Sequence, residues 1–200
     1  MASKDASFSV HEHDWHSRAY VDRWIGEDVT RDAERRPVLR KMLSFAPFAN
    51  RAAIRVLDVG AGYGVVAEEV LRAFPEARVT WHDYSQPMRE HAQQRLAKQA
   101  ARLDYVLSDL AGPDWGKDVG GPFELAVSGI ALHNLRDRKL IFRCYGTIRE
   151  LLVPEGCFLD CDYFEYVGGV GMHMAAMEKA GFERVECVWQ EGAAAIIKAA

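Results

Sequence analysis

Between Val56 and Gly64 the chain reads VLDVGAGYG, and this stretch carries the clearest chemistry in the sequence. Glycines at the alternating positions 60, 62 and 64 let a backbone turn sharply out of a strand and approach a ligand with no Cβ in the way. A dinucleotide site requires G-x-G-x-x-G with a small third residue, its pyrophosphate lying over a helix start. Here the third glycine comes one position early, Val65 stands where that pattern needs Gly or Ala, and Asp58 precedes the turn. An acid inside the motif is awkward beside pyrophosphate and sensible beside an ammonium or sulfonium cation. The loop therefore suits a cationic, phosphate-free nucleoside, with a tight ligand-free turn as the plainer alternative. Asp83 closes the run VTWHD, where a carboxylate can accept from both ribose hydroxyls or interact with the start of the following helix.

These residues need a scaffold, and the hydrophobic pattern supplies one. Residues 54–57 read as a buried strand ending in the glycine turn, followed by a helix from Val65 to Phe74 that Pro75 breaks. Strands are expected at 77–82, 104–107, 123–128 and 157–164, the last after a Pro154-Glu155-Gly156 turn. Helices are expected at 86–101, 139–152 and about 172–180. The tail ERVECVWQEGAAAIIKAA reads as two strands joined around Glu191-Gly192, too close for a helical crossover and therefore antiparallel. Ahead of all this, Trp15, Tyr20, Trp24 and Ile25 recur at helical intervals. Val38, Leu39, Met42 and Leu43 form a second apolar stripe, with Pro37 beginning or kinking its helix. The rhythm implies an α/β fold with a mainly parallel sheet covered on both faces.

In order along the chain, six segments resemble the class I S-adenosylmethionine-dependent methyltransferases over about residues 50–200. They are VLDVGAGYG, HDYSQPM, VLSDL, FELAVSGIALHNL, LLVPEGCFLDCDYF and EKAGFERVECVW. The resemblance implies a doubly wound, Rossmann-like sheet of seven strands, parallel except for the last, with S-adenosyl-L-methionine as cofactor. Carried over by position, it implies that Gly60, Gly62 and Gly64 border the methionine portion, with Asp58 fixing the turn or the ammonium. Asp83 would hold the ribose, and Tyr84 and Met88 would pack against the adenine. Asp109 would accept from the adenine amino group or serve as an Asx-turn acid. Ser108 or Leu110 would add backbone contacts, and Ser128 would approach the methionine end.

Methyl transfer from a sulfonium is an in-line displacement with a good leaving group, so proximity in a dry pocket supplies much of the catalysis. A base is needed only where the acceptor must lose a proton. His133, in ALHNL just after the fourth strand, is the candidate, as base or as a positioning group. Asp160 and Asp162 flank Cys161, and strand alternation turns both the same way. That pair could form a weak metal or acceptor site, or split between a pocket rim, where Asp162 would meet the acceptor, and a turn. His11, His13, Asp14 and His16 resemble a metal-binding tract in composition, with a solvated terminus as the blander reading and no metal expected. Only DYFEYVGGVG separates Cys161 from Met172, where many small-molecule relatives insert a lid, and its glycines suggest a mobile loop. Residues 1–48 are therefore expected as a helical extension covering the domain 49–200, with Trp15, Tyr20 and Trp24 facing the pocket and the acceptor.

Composition bounds the rest. Two hundred residues suit one domain, and 49% apolar with 27% charged residues is ordinary for a globular protein. A net charge of −4 and the absence of an Asn/Asp-Pro-Pro-aromatic signature disfavour nucleic acid as substrate. The four cysteines form no CxxC pair and read as buried thiols of a reducing compartment. No apolar run reaches membrane-spanning length and no signal layout opens the chain, so the expectation is a cytoplasmic protein. A small-molecule acceptor is expected. The alternatives are an RNA or protein methyltransferase, a noncatalytic S-adenosylmethionine-binding protein and, against the glycine spacing, a nicotinamide oxidoreductase. An uncovered pocket on a small protomer is compatible with a homodimer.

Overall fold

The computed structural model describes residues 13–200, apart from the side chains of residues 28–31. Seven strands form one sheet: β1 (Arg55–Val59), β2 (Arg78–Asp83), β3 (Leu103–Leu107), β4 (Phe123–Gly129), β5 (Leu152–Asp162), β6 (Val185–Glu191) and β7 (Ala194–Ala199), in the order β3-β2-β1-β4-β5-β7-β6. The first five are mutually parallel, and β7 runs antiparallel to both of its neighbours. Strand order reverses between β1 and β4, and a parallel sheet opens a crevice at the carboxyl ends of the strands at such a point.

Period-two alternation divides the core between the two faces. Val56, Trp81, Leu125 and Leu159 pack on one side with α1 (Arg18–Ser44), α2 (Val65–Ala73) and α3 (Gln86–Arg95). Leu57, Ala126, Phe158 and Ile197 face the other, against α4 (Trp115–Val119), α5 (Arg138–Leu151) and α6 (Val170–Lys179). Each fully buried large side chain, such as Trp81 or Phe158, contributes about 1.5–3 kcal/mol from burial.

Several elements differ from the sequence pattern. The helix expected at 86–101 ends at Arg95 and is followed by a 3-10 turn over Ala97–Arg102, and the strand expected at 157–164 ends at Asp162. Pro37 neither begins nor ends a helix: it lies inside the single 27-residue α1. An interior proline removes a helical hydrogen bond, so this helix relies on tertiary contacts. Val21, Leu39, Met42 and Leu43 bury one face. Arg36 bonds Glu68 at 2.7 Å and also Glu69, Arg40 bonds Glu69 at 2.9 Å, and Arg95 on α3 reaches Asp32 at 2.9 Å. Glu69 is only 1% exposed. Burial alone would raise its carboxyl, but hydrogen bonds from Arg40 and Arg36 hold it below the usual range.

The Pro154-Glu155-Gly156 turn lies within β5, which starts at Leu152. Phe123 pairs with Leu152 and Leu125 with Cys157, so the turn is absorbed as a bulge against β4. The glycine-bearing connection after β5 is packed: Phe164 and Val167 are buried in a short 3-10 turn, and the Gly169 N–H donates to the Phe164 carbonyl at 2.9 Å. Among the described residues no helix is long and apolar enough to cross a membrane.

Candidate active site

The glycine turn leaves β1 at the strand-order reversal. Gly60 has φ +66°, and a Cβ built on it would stand 2.7 Å from the Ala131 Cβ, on the loop after β4. Gly62, at φ +52°, donates its N–H to Asp83 Oδ2 at 2.9 Å and accepts at its carbonyl from Trp81 Nε1 at 2.9 Å. Its missing Cβ would meet nothing within 4 Å, so the turn presents bare backbone to open space. Asp83 Oδ1 accepts from the Ser85 N–H at 2.9 Å. Each carboxylate oxygen thus keeps a lone pair for a further donor. Burial raises the Asp83 carboxyl, opposed by the Ser85, Gly62 and Tyr84 N–H groups.

A cavity of about 470 Å³ opens over this turn. Of the residues singled out from sequence, Gly60, Gly62, Asp83, Tyr84 and Met88 line it. So do Asp109 and Leu110 across the way, and Trp15 and Trp24 from the N-terminal segment. Asp109 also accepts from the Ala111 N–H at 2.8 Å, the Asx-turn geometry. The others stand outside the lining. Gly64 serves packing, since a Cβ there would come within 2.9 Å of Leu96 Cδ1. Ser108 Oγ sits 3.0 Å from His82 Nε2, and Ser128 is fully buried with its hydroxyl unpartnered. The Tyr20 hydroxyl turns to His13 Nδ1 and its ring to Trp15.

Sequence reasoning did not single out Arg35, Ile130, Asn134 and Arg136, all of which line the cavity. Ile130 and Arg136 adopt φ +57° and +54°, the non-glycine residues at positive φ among those described. Neither residue type signals such a conformation, so only the fold reveals it. His13 lines the cavity, whereas His11 of the same histidine-rich tract lies outside the described residues. Among the described residues no group of three His, Cys, Asp or Glu could hold a metal ion.

Asp58 is fully buried on β1, and neither of its oxygens meets a well-aligned donor. Burial pushes its carboxyl from 3.8 up to about 8, offset in part by the Ala67 N–H and reinforced by the Asp83 charge. Between roughly pH 4 and 8 the folded ligand-free protein holds a proton there that the unfolded chain has released. Its contribution to stability is complete below pH 4 and is lost, at about 1.4 kcal/mol per unit, as pH rises toward 8. Asp58→Asn is expected to flatten this slope, so that thermal midpoints of mutant and wild type diverge steadily from pH 5 to pH 8. Parallel curves would show that Asp58 ionises freely.

Beside the cavity, His133 and Asp162 form a hydrogen-bonded pair. Asp162 Oδ1 lies 2.6 Å from His133 Nδ1, and Oδ2 accepts from the His133 N–H at 3.0 Å. The Tyr163 N–H also donates to Oδ1, at 2.8 Å. A carboxylate bonded this way keeps the proton of a neutral imidazole on Nδ1 and leaves the Nε2 lone pair free. The ring abuts Tyr163 and Tyr166 at 6.0 and 6.2 Å between centroids, and its side chain is 19% exposed. Its neighbours Ala131, Asn134 and Leu135 line the cavity, whereas His133 itself is not among the lining residues.

The family model for the methyltransferase domain matches residues 56–156, the stretch that holds the glycine turn, both ligand-facing acids and the His133 loop. The chain belongs to the class I S-adenosylmethionine-dependent methyltransferases. Over 138 residues this methyltransferase is 30% identical to a malonyl-[acyl-carrier protein] O-methyltransferase of Chlorobium phaeovibrioides, covering 64% of this chain and 50% of that one. The chain spans half or less of the length of the curated relatives it matches. In fold it is similar to an O-methyltransferase family protein from Burkholderia thailandensis (TM-score 0.70, 16% identity, 94% of this chain and 60% of that one). It is also similar to human N-acetylserotonin methyltransferase in complex with SAM (TM-score 0.65, 13% identity, 92% and 56%).

The methyl donor of this methyltransferase is S-adenosylmethionine, and the residues present fit it. Asp83 retains lone pairs for two ribose hydroxyls, and the bare backbone at Gly62 leaves room for a ligand to lie against it. Asp109 keeps Oδ2 for an amino group while Oδ1 holds its own turn. Bound there, the cofactor supplies an electrophilic methyl group on a sulfonium leaving group.

Proposed function

We propose that this methyltransferase methylates a hydroxyl oxygen of a small, largely apolar acceptor, with His133 taking the proton that the acceptor loses. The observation that carries the reading is the His133–Asp162 hydrogen bond. Asp162 is fixed by two backbone N–H groups and in turn orients the imidazole, leaving Nε2 as a base beside the cavity. A neutral hydroxyl needs such a base, whereas a group already nucleophilic at neutral pH does not. In this reading the acceptor side of the cavity is the apolar wall of Trp24, Leu39, Ile130, Leu135 and Leu140. The cofactor side is held by Gly60, Gly62, Asp83, Tyr84, Met88 and Asp109. Residues 13–48, the described part of the expected extension 1–48, act as the cover of the domain 49–200, through Trp15 and Trp24 on the segment tied down by Ser85 Oγ to the Trp15 carbonyl.

The name of the Chlorobium relative, an O-methyltransferase, supports oxygen as the acceptor atom. The test is turnover of S-adenosylmethionine with matched phenols, aliphatic alcohols, amines, thiols and structured RNA, read as S-adenosylhomocysteine formed and product mass. Methylation of hydroxyl compounds at neutral pH is the expected result. Preferential modification of RNA or amines would overturn the acceptor class, and cofactor binding without turnover on every acceptor would point to a noncatalytic protein.

A further inference from the structure

A second acid lies beneath the His133–Asp162 pair and has no part in the reading above. Asp160 and Asp162 alternate along β5 onto the same face of the sheet, and both are buried. Two carboxylates about 7 Å apart along one strand face cannot both ionise cheaply in a low-dielectric core. Their donors are shared unequally. Asp162 accepts from the His133 and Tyr163 N–H groups and from the His133 imidazole. Asp160 Oδ2 has only the Tyr145 hydroxyl, 3.4 Å away, and its Oδ1 is unpartnered.

The proton positions follow from the far end of this chain of contacts. His173 on α6 is 1% exposed, with Nε2 3.3 Å from the Val167 carbonyl and Nδ1 2.6 Å from the Tyr145 hydroxyl. A carbonyl only accepts, so Nε2 carries a hydrogen and Nδ1 of the neutral ring accepts from Tyr145. That uses the single proton of the Tyr145 hydroxyl, whose oxygen can then only accept from Asp160. With that proton committed to His173, Tyr145 leaves Asp160 without a donor, and a protonated Asp160 carboxyl facing the Tyr145 oxygen across 3.4 Å is the arrangement that buries no charge. The other arrangement, an imidazolium donating to Tyr145 and Tyr145 to a carboxylate, moves one proton along the same line. It would place two charges among the rings of Phe142, Phe158 and Phe164. Burial opposes both charges, lowering the His173 imidazole and raising the Asp160 carboxyl well above its usual range, with the Asp162 charge adding to the latter.

We propose that Asp160, Tyr145 and His173 form a buried one-proton relay that keeps Asp160 uncharged, so that the negative charge of the β5 pair sits on Asp162 under His133. The groups facing the relay are few. β5 offers Asp162, with the Cys161 thiol between the two acids on the opposite face, α5 offers Tyr145 and the Cys144 thiol, and α6 offers His173. β4 places Ser128, whose hydroxyl is also unpartnered, in register with Asp160, and β7 places the apolar Ile197 opposite. None of these is a fixed cation, so an Asp160 anion would have only the long Tyr145 contact against its burial and the Asp162 charge. Asp160 is in this sense a positioning residue. By staying neutral it leaves one charged carboxylate to fix the His133 tautomer. The same chain ties the Val167 carbonyl, and with it the turn carrying Tyr163 and Tyr166 beside His133, to the core.

The functional sense of the relay rests on the reading of His133 as a base, but its test does not need an acceptor. The full chain with bound S-adenosylhomocysteine is titrated by NMR at the His133 imidazole, in wild type, Asp160→Asn and Asp162→Asn. Asn mimics a neutral carboxyl, so Asp160→Asn should leave the His133 midpoint in place. Asp162→Asn should lower it, as loss of an adjacent charge does. The wild-type spectrum gives a second readout even if a variant fails to fold: an aspartic side-chain carboxyl still protonated at neutral pH, absent from Asp160→Asn. Equal midpoint shifts in the two variants, or no protonated aspartate in wild type, would overturn the proposal. Failure of the base reading would instead show as undiminished turnover in a His133 variant and would move neither readout.

Discussion

His133→Ala is expected to lower kcat for a hydroxyl acceptor about 10²- to 10⁴-fold while leaving affinity for S-adenosylhomocysteine within a factor of about three, that is, under ~1 kcal/mol. The loss corresponds to about 3–5 kcal/mol of transition-state stabilisation. The cofactor should be insensitive because His133 is not among the residues lining the cavity and its imidazole bonds Asp162. Asp162→Asn should fall in the same direction. An amide can present its NH2 to His133 Nδ1 and reverse the tautomer, taking the lone pair away from Nε2. The deficit of both variants should shrink as pH rises with a phenolic acceptor, because an acceptor that ionises in solution no longer needs a protein base. Rate profiles from pH 6 to pH 10 check this. A deficit constant across that range would assign His133 to shaping the acceptor wall, and a full-rate His133→Ala enzyme would remove it from the chemistry.

Asp83→Ala should weaken S-adenosylmethionine and S-adenosylhomocysteine binding by about 10²- to 10⁴-fold. In the proposed complex two ribose hydroxyls donate to this carboxylate, and hydrogen bonds to a charged group contribute about 1.5–3 kcal/mol each. Further affinity is lost indirectly, because the Gly62 and Ser85 N–H groups lose their acceptor and the glycine turn loses its tether to β2. Isothermal titration measures the loss, and thermal unfolding of the ligand-free variant separates it from damage to the fold. Asp83→Asn keeps the shape and an acceptor oxygen, so it should lie between the two. A change of less than about fivefold in Asp83→Ala would mean that the ribose is held elsewhere.

Both predictions concern residues that the sequence exposes, and the reason is local. A glycine at positive φ, as at Gly60 and Gly62, is a requirement of a few consecutive residues, so the alternating glycines of VLDVGAGYG announce a turn without knowledge of the fold. Short runs buried on both faces likewise make β1, β2 and β4 legible, and place Asp83 at a strand end. The short Glu191-Gly192 connection forces the antiparallel pairing of β6 and β7. Even the shared orientation of Asp160 and Asp162 follows from alternation along one strand.

What alternation cannot supply is the partner across space. His133 and Asp162 are 29 positions apart, Tyr145 and His173 are 28 apart, and Arg36 and Glu69 are 33 apart. Pro37 reads as the start of a helix or a kink in one, because a proline in isolation disfavours a helix interior. α1 runs through it because the arginine–glutamate contacts with α2 and the buried stripe on its far side hold both halves. Likewise Gly64 reads as part of a ligand loop, yet its missing Cβ makes room for Leu96. The sequence by itself determined the layered α/β architecture, the glycine turn that lines the cavity and the acid that follows it, since each depends on backbone conformation and apolar runs over a few residues. Only the tertiary structure decided which acid bonds His133, which acid beneath it is left short of donors, and which side chains of α1 reach the cavity. Those choices depend on strand register, helix docking and desolvation, and no short stretch of chain encodes them.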